Sequence, residues 1–211
     1  MKYNNLTLLY GAGQFNLENV MRTLVLAFLL LSEAIGYSQT QQNDFRGFTW
    51  GDSWEKIRAA EKAKFVTKKD KTEVEYKDAL GGKDIRILYV FNEENKLVHG
   101  VYIFAKKYNN PELYVLNYNA FSNLLTEKYG NPAKQKERWN SSDVTNDKAN
   151  PGQAVLDGDL SLYTVWITDR TVIKSTLINE DGKPSMQIHY TTRSLDELEN
   201  KEELRSALEK L

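Results

Sequence analysis

Phe45-Arg46-Gly47-Phe48-Thr49-Trp50-Gly51-Asp52-Ser53-Trp54-Glu55-Lys56-Ile57 reads, in that order, as an aromatic strand end, a glycine turn and the capped start of a helix. Asp52 is the expected N-cap. Its carboxylate lies within reach of the Glu55 backbone N–H, and Glu55 three residues on completes a capping box. The helix is predicted to run to about Lys64, with Trp54 and Ile57 one turn apart. Glu61 and Lys64 thin its apolar face, so it is expected to lie across a sheet edge. Trp50, Gly51, Asp52 and Trp54 form a structural signature: the rings lock the segment onto a sheet, and the glycine lets the chain turn into the helix.

Upstream, Leu24 to Leu31 is an unbroken apolar run with Arg22 as its positive flank. It is far short of the ~20 residues that span a bilayer and fits the core of a secretory signal. Small residues follow, so cleavage is expected after Gly36 or Ser38. Residues 1–20 make a poor signal start, and translation is expected to begin at Met21. The reading is a mis-assigned extension over 1–20, a signal over 21–38, a polar spacer over 39–44 and one domain over 45–211.

Downstream, strands are predicted over Thr72–Ala79, Asp84–Phe91 and Lys96–Ala105, joined at Gly81-Gly82 and at Asn92-Glu93-Glu94-Asn95. The second places Ile85, Ile87, Tyr89 and Phe91 on one face. The third places Leu97, His99, Val101 and Ile103 together. Both are apolar on two faces, so both are expected to be central and covered on both sides.

Asn110-Pro111-Glu112 starts a second helix and Gly130-Asn131-Pro132 stops it. One apolar stripe holds Leu113, Leu116, Ala120 and Leu124, and another holds Tyr114, Tyr118, Leu125 and Tyr129. A helix with so wide an apolar surface is expected either to be sandwiched or to offer its tyrosine side to a partner. A short strand is predicted at Gln135–Trp139, then a mobile loop over about Asn140 to Gly152. Strands follow at Leu160–Thr168, Thr171–Asn179 and Pro184–Arg193, with a hairpin at Asp181-Gly182. In the tail, Ser194 with Glu197 reads as a helix cap. Leu195 and Leu198 fall opposite Leu204, Leu208 and Leu211, which predicts a break or kink near Asn200.

The order is helix, three strands, helix, three or four strands, helix. It defines an α+β fold, an antiparallel sheet built from two helix-then-hairpin units, about 45–106 and 110–193, followed by the helix 194–211.

Trp50-Gly51-Asp52-Ser53-Trp54, Lys128-Tyr129-Gly130-Asn131-Pro132 and the hairpins from Trp166 to Tyr190 carry a resemblance. The chain resembles beta-lactamase-inhibitor-protein-like domains, SmpA/OmlA-type envelope proteins and uncharacterised secreted proteins of Bacteroidota. The resemblance covers roughly Phe45 to Arg193 and implies a binding module with no catalytic residues. The SmpA/OmlA-type proteins carry a lipidated cysteine, whereas this chain has no cysteine.

The totals narrow the function further. Of 211 residues, 28 are basic and 29 acidic, for a net charge of −1, which argues against nucleic acid and against docking on anionic lipid. The absence of cysteine excludes disulfides, thiolate metal sites and a cysteine nucleophile. No nucleophile elbow, phosphate loop, dinucleotide fingerprint or His-Glu-x-x-His is present. His99 and His189 sit in different halves with no local third group. Asp143, Asn146 and Asp147, with Asp157 or Asp159, lack the spacing of a calcium loop. The aromatics Trp54, Trp139, Trp166 and the tyrosines are the most suggestive side chains: core packing is their favoured reading, a groove for a peptide or sugar the other, and Trp139 beside the loop is the ring expected to be exposed. The candidate binding surface is therefore Tyr114, Tyr118, Tyr129 and Trp139, with no catalytic residue, cofactor or metal. The expected function is an exported, non-enzymatic domain of the periplasm or extracellular space, not a lipoprotein, that binds a protein or peptide. The alternatives are a small-molecule or glycan carrier and, behind it, a hydrolase with an unrecognised site.

Overall fold

The computed structural model describes residues 43–70, 72–140 and 149–208. The signal, the start at Met21, the cleavage sites, most of the spacer and the Asp143–Asp147 stretch lie outside the described residues.

The opening stretch folds back on itself before the first helix. Arg46 (φ 53°) and Gly47 (φ 88°) turn the chain so that Phe45 and Phe48 exchange backbone hydrogen bonds of 3.1 and 2.9 Å. Helix α1 (Trp54–Ala60) buries Trp54 and Ile57. Its cap is Ser53, whose Oγ accepts the Lys56 N–H, and not Asp52. The Asp52 carboxylate is already taken by the Thr49 N–H at 3.0 Å and Lys56 Nζ at 2.8 Å. The helix stops at Ala60, short of the expected Lys64, because Glu61 turns extended. Its carboxylate accepts from Arg46 Nε at 3.0 Å and from the Tyr89 hydroxyl.

A strand with no counterpart in the sequence reading, β1 (Lys64–Lys69), begins at the residue where the helix was expected to end. Then follow β2 (Glu73–Leu80), β3 (Lys83–Phe91), β4 (Leu97–Phe104), α2 (Glu112–Tyr129), β5 (Lys134–Trp139), α3 (Pro151–Asp157), β6 (Leu160–Ile167), β7 (Thr171–Glu180), β8 (Lys183–Thr192) and α4 (Arg193–Leu208). Helix α3 occupies the end of the expected loop. Helix α4 bends near Asn200, and its first turn is capped by the Thr192 hydroxyl, which accepts the Leu195 N–H, not by Ser194.

Among the described residues eight strands form one antiparallel sheet in the order β1-β2-β3-β4-β8-β7-β6-β5. Each half is a helix followed by a four-stranded meander, and the halves meet where β4 pairs with β8. The register aligns Tyr76, Ile87, Tyr102, Ile188, Ser175, Thr164 and Gln135 in one row on one face. Trp54 of α1 packs on Tyr76, and Tyr118 of α2 hydrogen-bonds Thr164. The helices thus cover the same face, one on each half. The opposite face aligns Glu75, Leu88, Val101, His189, Lys174, Val165 and Lys134.

Strands β3 and β4 are central, but Leu88, Val90 and Ile103 on this second face are only half-buried, so it is less covered than expected. Leu97 also changes sides. The ladder slips one residue between Val90–His99 and Phe91–Leu97, a bulge at Val98 that turns Leu97 into the core. Among the described residues no helix is long and apolar enough to cross a membrane.

Candidate functional site: the cleft between α2 and the β5 edge

Helix α2 starts where Asn110 Oδ1 accepts the Glu112 N–H at 3.0 Å and ends at Gly130 (φ 83°). It buries Tyr118, Phe121 and Leu125 against the sheet, with Phe121 edge-on to Phe104 of β4. The sheet extends one strand beyond that cover. Between α2 and β5 this leaves a cleft of about 400 Å³, lined by Val115, Tyr118 and Asn119 of α2, Gln135, Lys136, Glu137 and Trp139 of β5, Leu160 and Leu162 of β6, and Pro151; Lys136 belongs to the alternate set of β5 that faces the other way. That volume lies within the range of small-ligand and side-chain pockets.

Helix α3 closes one end. Gly152 donates its N–H to Glu112 Oε1 at 2.8 Å, and a Cβ at Gly152 would stand 2.4 Å from the Glu112 backbone nitrogen. Only a glycine lets α3 come this close to the start of α2. The floor is apolar, with Leu160 and Leu162 both buried, while Tyr118 turns its hydroxyl away to Thr164 at 2.7 Å. Trp139 forms a half-buried wall whose indole N–H donates to Glu137 at 3.3 Å.

Among the described residues β5 is an edge strand, and the backbone groups on its outer side can be assigned. The Asn140 N–H donates to the Asp159 carbonyl at 2.8 Å, and Asn140 extends the register one residue past Trp139–Leu160. Because hydrogen-bonded and non-hydrogen-bonded pairs alternate, Lys134, Lys136 and Arg138 turn their backbone groups toward β6. Gln135, Glu137 and Trp139 turn theirs outward. The same three residues point their side chains toward the cleft. An unpaired ladder and a side-chain pocket therefore share one edge.

The four residues expected to form a binding surface are not one surface. Tyr118 and Trp139 line the cleft. Tyr114 packs edge-on to Tyr108, and its hydroxyl accepts the Tyr108 N–H at 3.0 Å. Tyr129 packs on Tyr190 at the far end of α2. It is the leucine side of α2, not the tyrosine side, that faces outward: Leu116 and Leu124 are 61% and 54% exposed. Trp54 and Trp166 are buried in the core. Of the signature residues, Trp50 is half-buried, with its indole N–H on Thr171 Oγ1 at 2.9 Å, and Gly51 has φ 90°.

His99 and His189, apart in sequence, meet across the β4–β8 seam on the face opposite the helices. Their Nε2 and Nδ1 atoms lie 3.2 Å apart in stacked rings. Burial first, then each other's charge and Lys174 for His99, and burial with Lys174 for His189, push both down to about 4. Both imidazoles are therefore neutral at pH 7. Among the described residues no group of three His, Cys, Asp or Glu side chains is placed to hold a metal. Strand order is what the sequence reading lacked here; only the β4–β8 pairing brings the two together.

The chain was compared with family models, curated proteins and solved structures, and none matches it.

Proposed function

We propose that the chain is an exported, non-enzymatic binding module that takes up an extended peptide segment along β5 by strand addition. The observation that carries this is the coincidence of the outward-facing backbone of Gln135, Glu137 and Trp139 with the cleft beside it. A sheet edge supplies main-chain hydrogen bonds, and an adjacent pocket supplies side-chain selection. The resemblance to binding domains points the same way, and the apolar run Leu24–Leu31 is the ground for export. The peptide's cleft-facing residue packs between Trp139, Val115 and Leu162.

Titrating peptides of β-forming sequence while following tryptophan fluorescence tests this. Trp139→Ala weakens binding about tenfold or more if the ring is a central contact, with the thermal midpoint little changed. Equal binding by wild type and Trp139→Ala overturns it.

One observation favours a second reading, a glycan or small-molecule carrier. Trp139 stands beside the amides of Asn119 and Gln135 and the carboxylate of Glu137, a ring with polar groups around it. A ligand retained through purification and seen in native mass spectrometry selects this reading over the first.

A further inference from the structure

The other side of the same strand points to what kind of peptide is taken. Alternation along β5 sets Lys134, Lys136 and Arg138 on the face opposite the cleft. With Lys174 they rim a shallow groove of about 270 Å³ floored by Tyr163 and Val165. The same-face positions of β6 and β7 beside them, Ser161, Tyr163, Val165, Lys174 and Thr176, include no acid, and Asp159, next along that face of β6 beyond Ser161, pairs with none of the four cations. The nearest carboxylate along that face of β7, Glu180, is held by Gln187 at 2.9 Å. All four cations are exposed, and among the described residues none forms an ion pair. A net charge of −1 conceals this local excess.

We propose that the peptide received along β5 is acidic at every second position, its Asp or Glu side chains facing Lys134, Lys136 and Arg138 and its apolar side chains facing the cleft. This inference rests on the strand-addition reading. Three features of the geometry support it. An added strand has the same pleat, so its same-face residues recur every ~6.6–6.8 Å, in step with the three cations. Those residues fall opposite positions whose backbone groups turn inward, the non-hydrogen-bonded sites where facing Cα atoms approach to about 4.5 Å. Lys174, two strands further in, touches no residue of the peptide but raises the positive potential over the groove.

Lysines on an edge strand also discourage edge-to-edge aggregation. That role is served by any scattered charge. It does not call for three successive same-face cations with a fourth behind them and no ion pair among the described residues to any of them.

The test uses the full chain and labelled peptides of about nine residues, long enough to cover β5. One alternates Asp/Glu with Val/Phe, a second replaces the acids by Asn/Gln, and a third scrambles the first. Anisotropy is read at about 0.05 M and about 0.5 M salt. The alternating acidic peptide is expected to bind about tenfold tighter than its amide counterpart at low salt, with the gap closing at high salt. A Lys136→Glu/Arg138→Glu variant with an unchanged thermal midpoint should reverse the preference toward a Lys-alternating peptide. Equal affinity for the acidic and amide peptides overturns the charge preference and leaves strand addition standing. Equal affinity for the scrambled acidic peptide overturns the positional match. Failure of every peptide to bind overturns strand addition and this inference with it.

Discussion

The ring of Phe45 lies on the backbone of Gly100: a Cβ added to Gly100 would meet Phe45 Cδ1 at 2.2 Å. Gly100 sits on β4 opposite Tyr190 of β8, so this contact lies on the seam between the two halves. Tyr89, Tyr102 and Tyr190 surround the ring with centroids 5.3, 5.0 and 5.2 Å away. The opening stretch is therefore a plug at the centre of the sheet. Phe45→Ala should cost about 3–5 kcal/mol, the range for a buried aromatic truncation. Gly100→Ala should destabilise as well, by expelling the ring. In the Phe45→Ala background it should cost far less, because the clash has gone. A double-mutant cycle by denaturant melting reads this coupling, and additive effects contradict it.

A second tie joins the same segment to the other half. Asp44, 6% exposed, accepts from the Trp50 N–H at 2.9 Å and from Arg170 Nε and Nη2 at 3.1 and 2.7 Å. Thr171 Oγ1 adds a contact of 3.3 Å. Asp44→Ala leaves these donors without their acceptor and should cost about 2–3 kcal/mol in equilibrium unfolding. Arg170→Ala, which removes the half-exposed partner, should cost less.

Acid should unfold the protein in two distinguishable steps. His99 and His189 are held near 4 in the fold against an ordinary value of 6.5, so the unfolded chain binds more protons between those values. Their contribution is complete above about pH 6.5 and is lost as the pH falls toward 4. It amounts to roughly 3 kcal/mol for each histidine at most. Burial alone would raise Glu61, yet hydrogen bonds from Arg46, Tyr89 and the Ala63 N–H hold it at about 2. Its contribution is full above about 4.5 and is lost between there and 2. Urea melts across pH should show both arms. His189→Gln should shrink the upper arm, since His99 stays depressed by its own burial, and His99→Gln/His189→Gln should remove it and leave the lower arm.

Gly152→Val should separate fold from site. The added side chain collides with the α2 backbone, so α3 must move and the cleft loses its closed end. Ala154 and Val155 of α3 are buried against the sheet, so the shift loosens that edge of the core as well. Peptide binding should fall about tenfold or more while stability drops by about 1–2 kcal/mol. Binding retained at wild-type strength would mean that α3 is not part of the site.

The legible parts of the chain were those governed by local chemistry. Gly81-Gly82 and Asp181-Gly182 announced hairpins because both turns need positive φ at two successive residues, and both have it. The alternation of Met186, Ile188 and Tyr190 gave the buried face of β8 directly. β1 was hidden because five of its six residues are exposed, so it shows no period. α3 was hidden because Asn150-Pro151-Gly152 also spells a turn. Leu97 was misplaced by a single extra residue at Val98, which no alternation rule registers. Of the four expected binding residues, Tyr118 and Trp139 reached the cleft, and its polar members Asn119, Gln135 and Glu137 carried no signal of their own. The histidine pair and the free edge of β5 both depend on strand order, a non-local property.

Amide hydrogen exchange on the full chain, with and without the alternating acidic peptide, tests strand addition on β5 most directly. Without peptide, the amides of Lys136 and Arg138 should be protected by β6, and those of Gln135, Glu137 and Trp139 should exchange freely. On binding, Gln135, Glu137 and Trp139 should become protected while Lys136 and Arg138 stay as they were. Protection confined to another edge or face, or none on β5 at saturating peptide, would contradict the account.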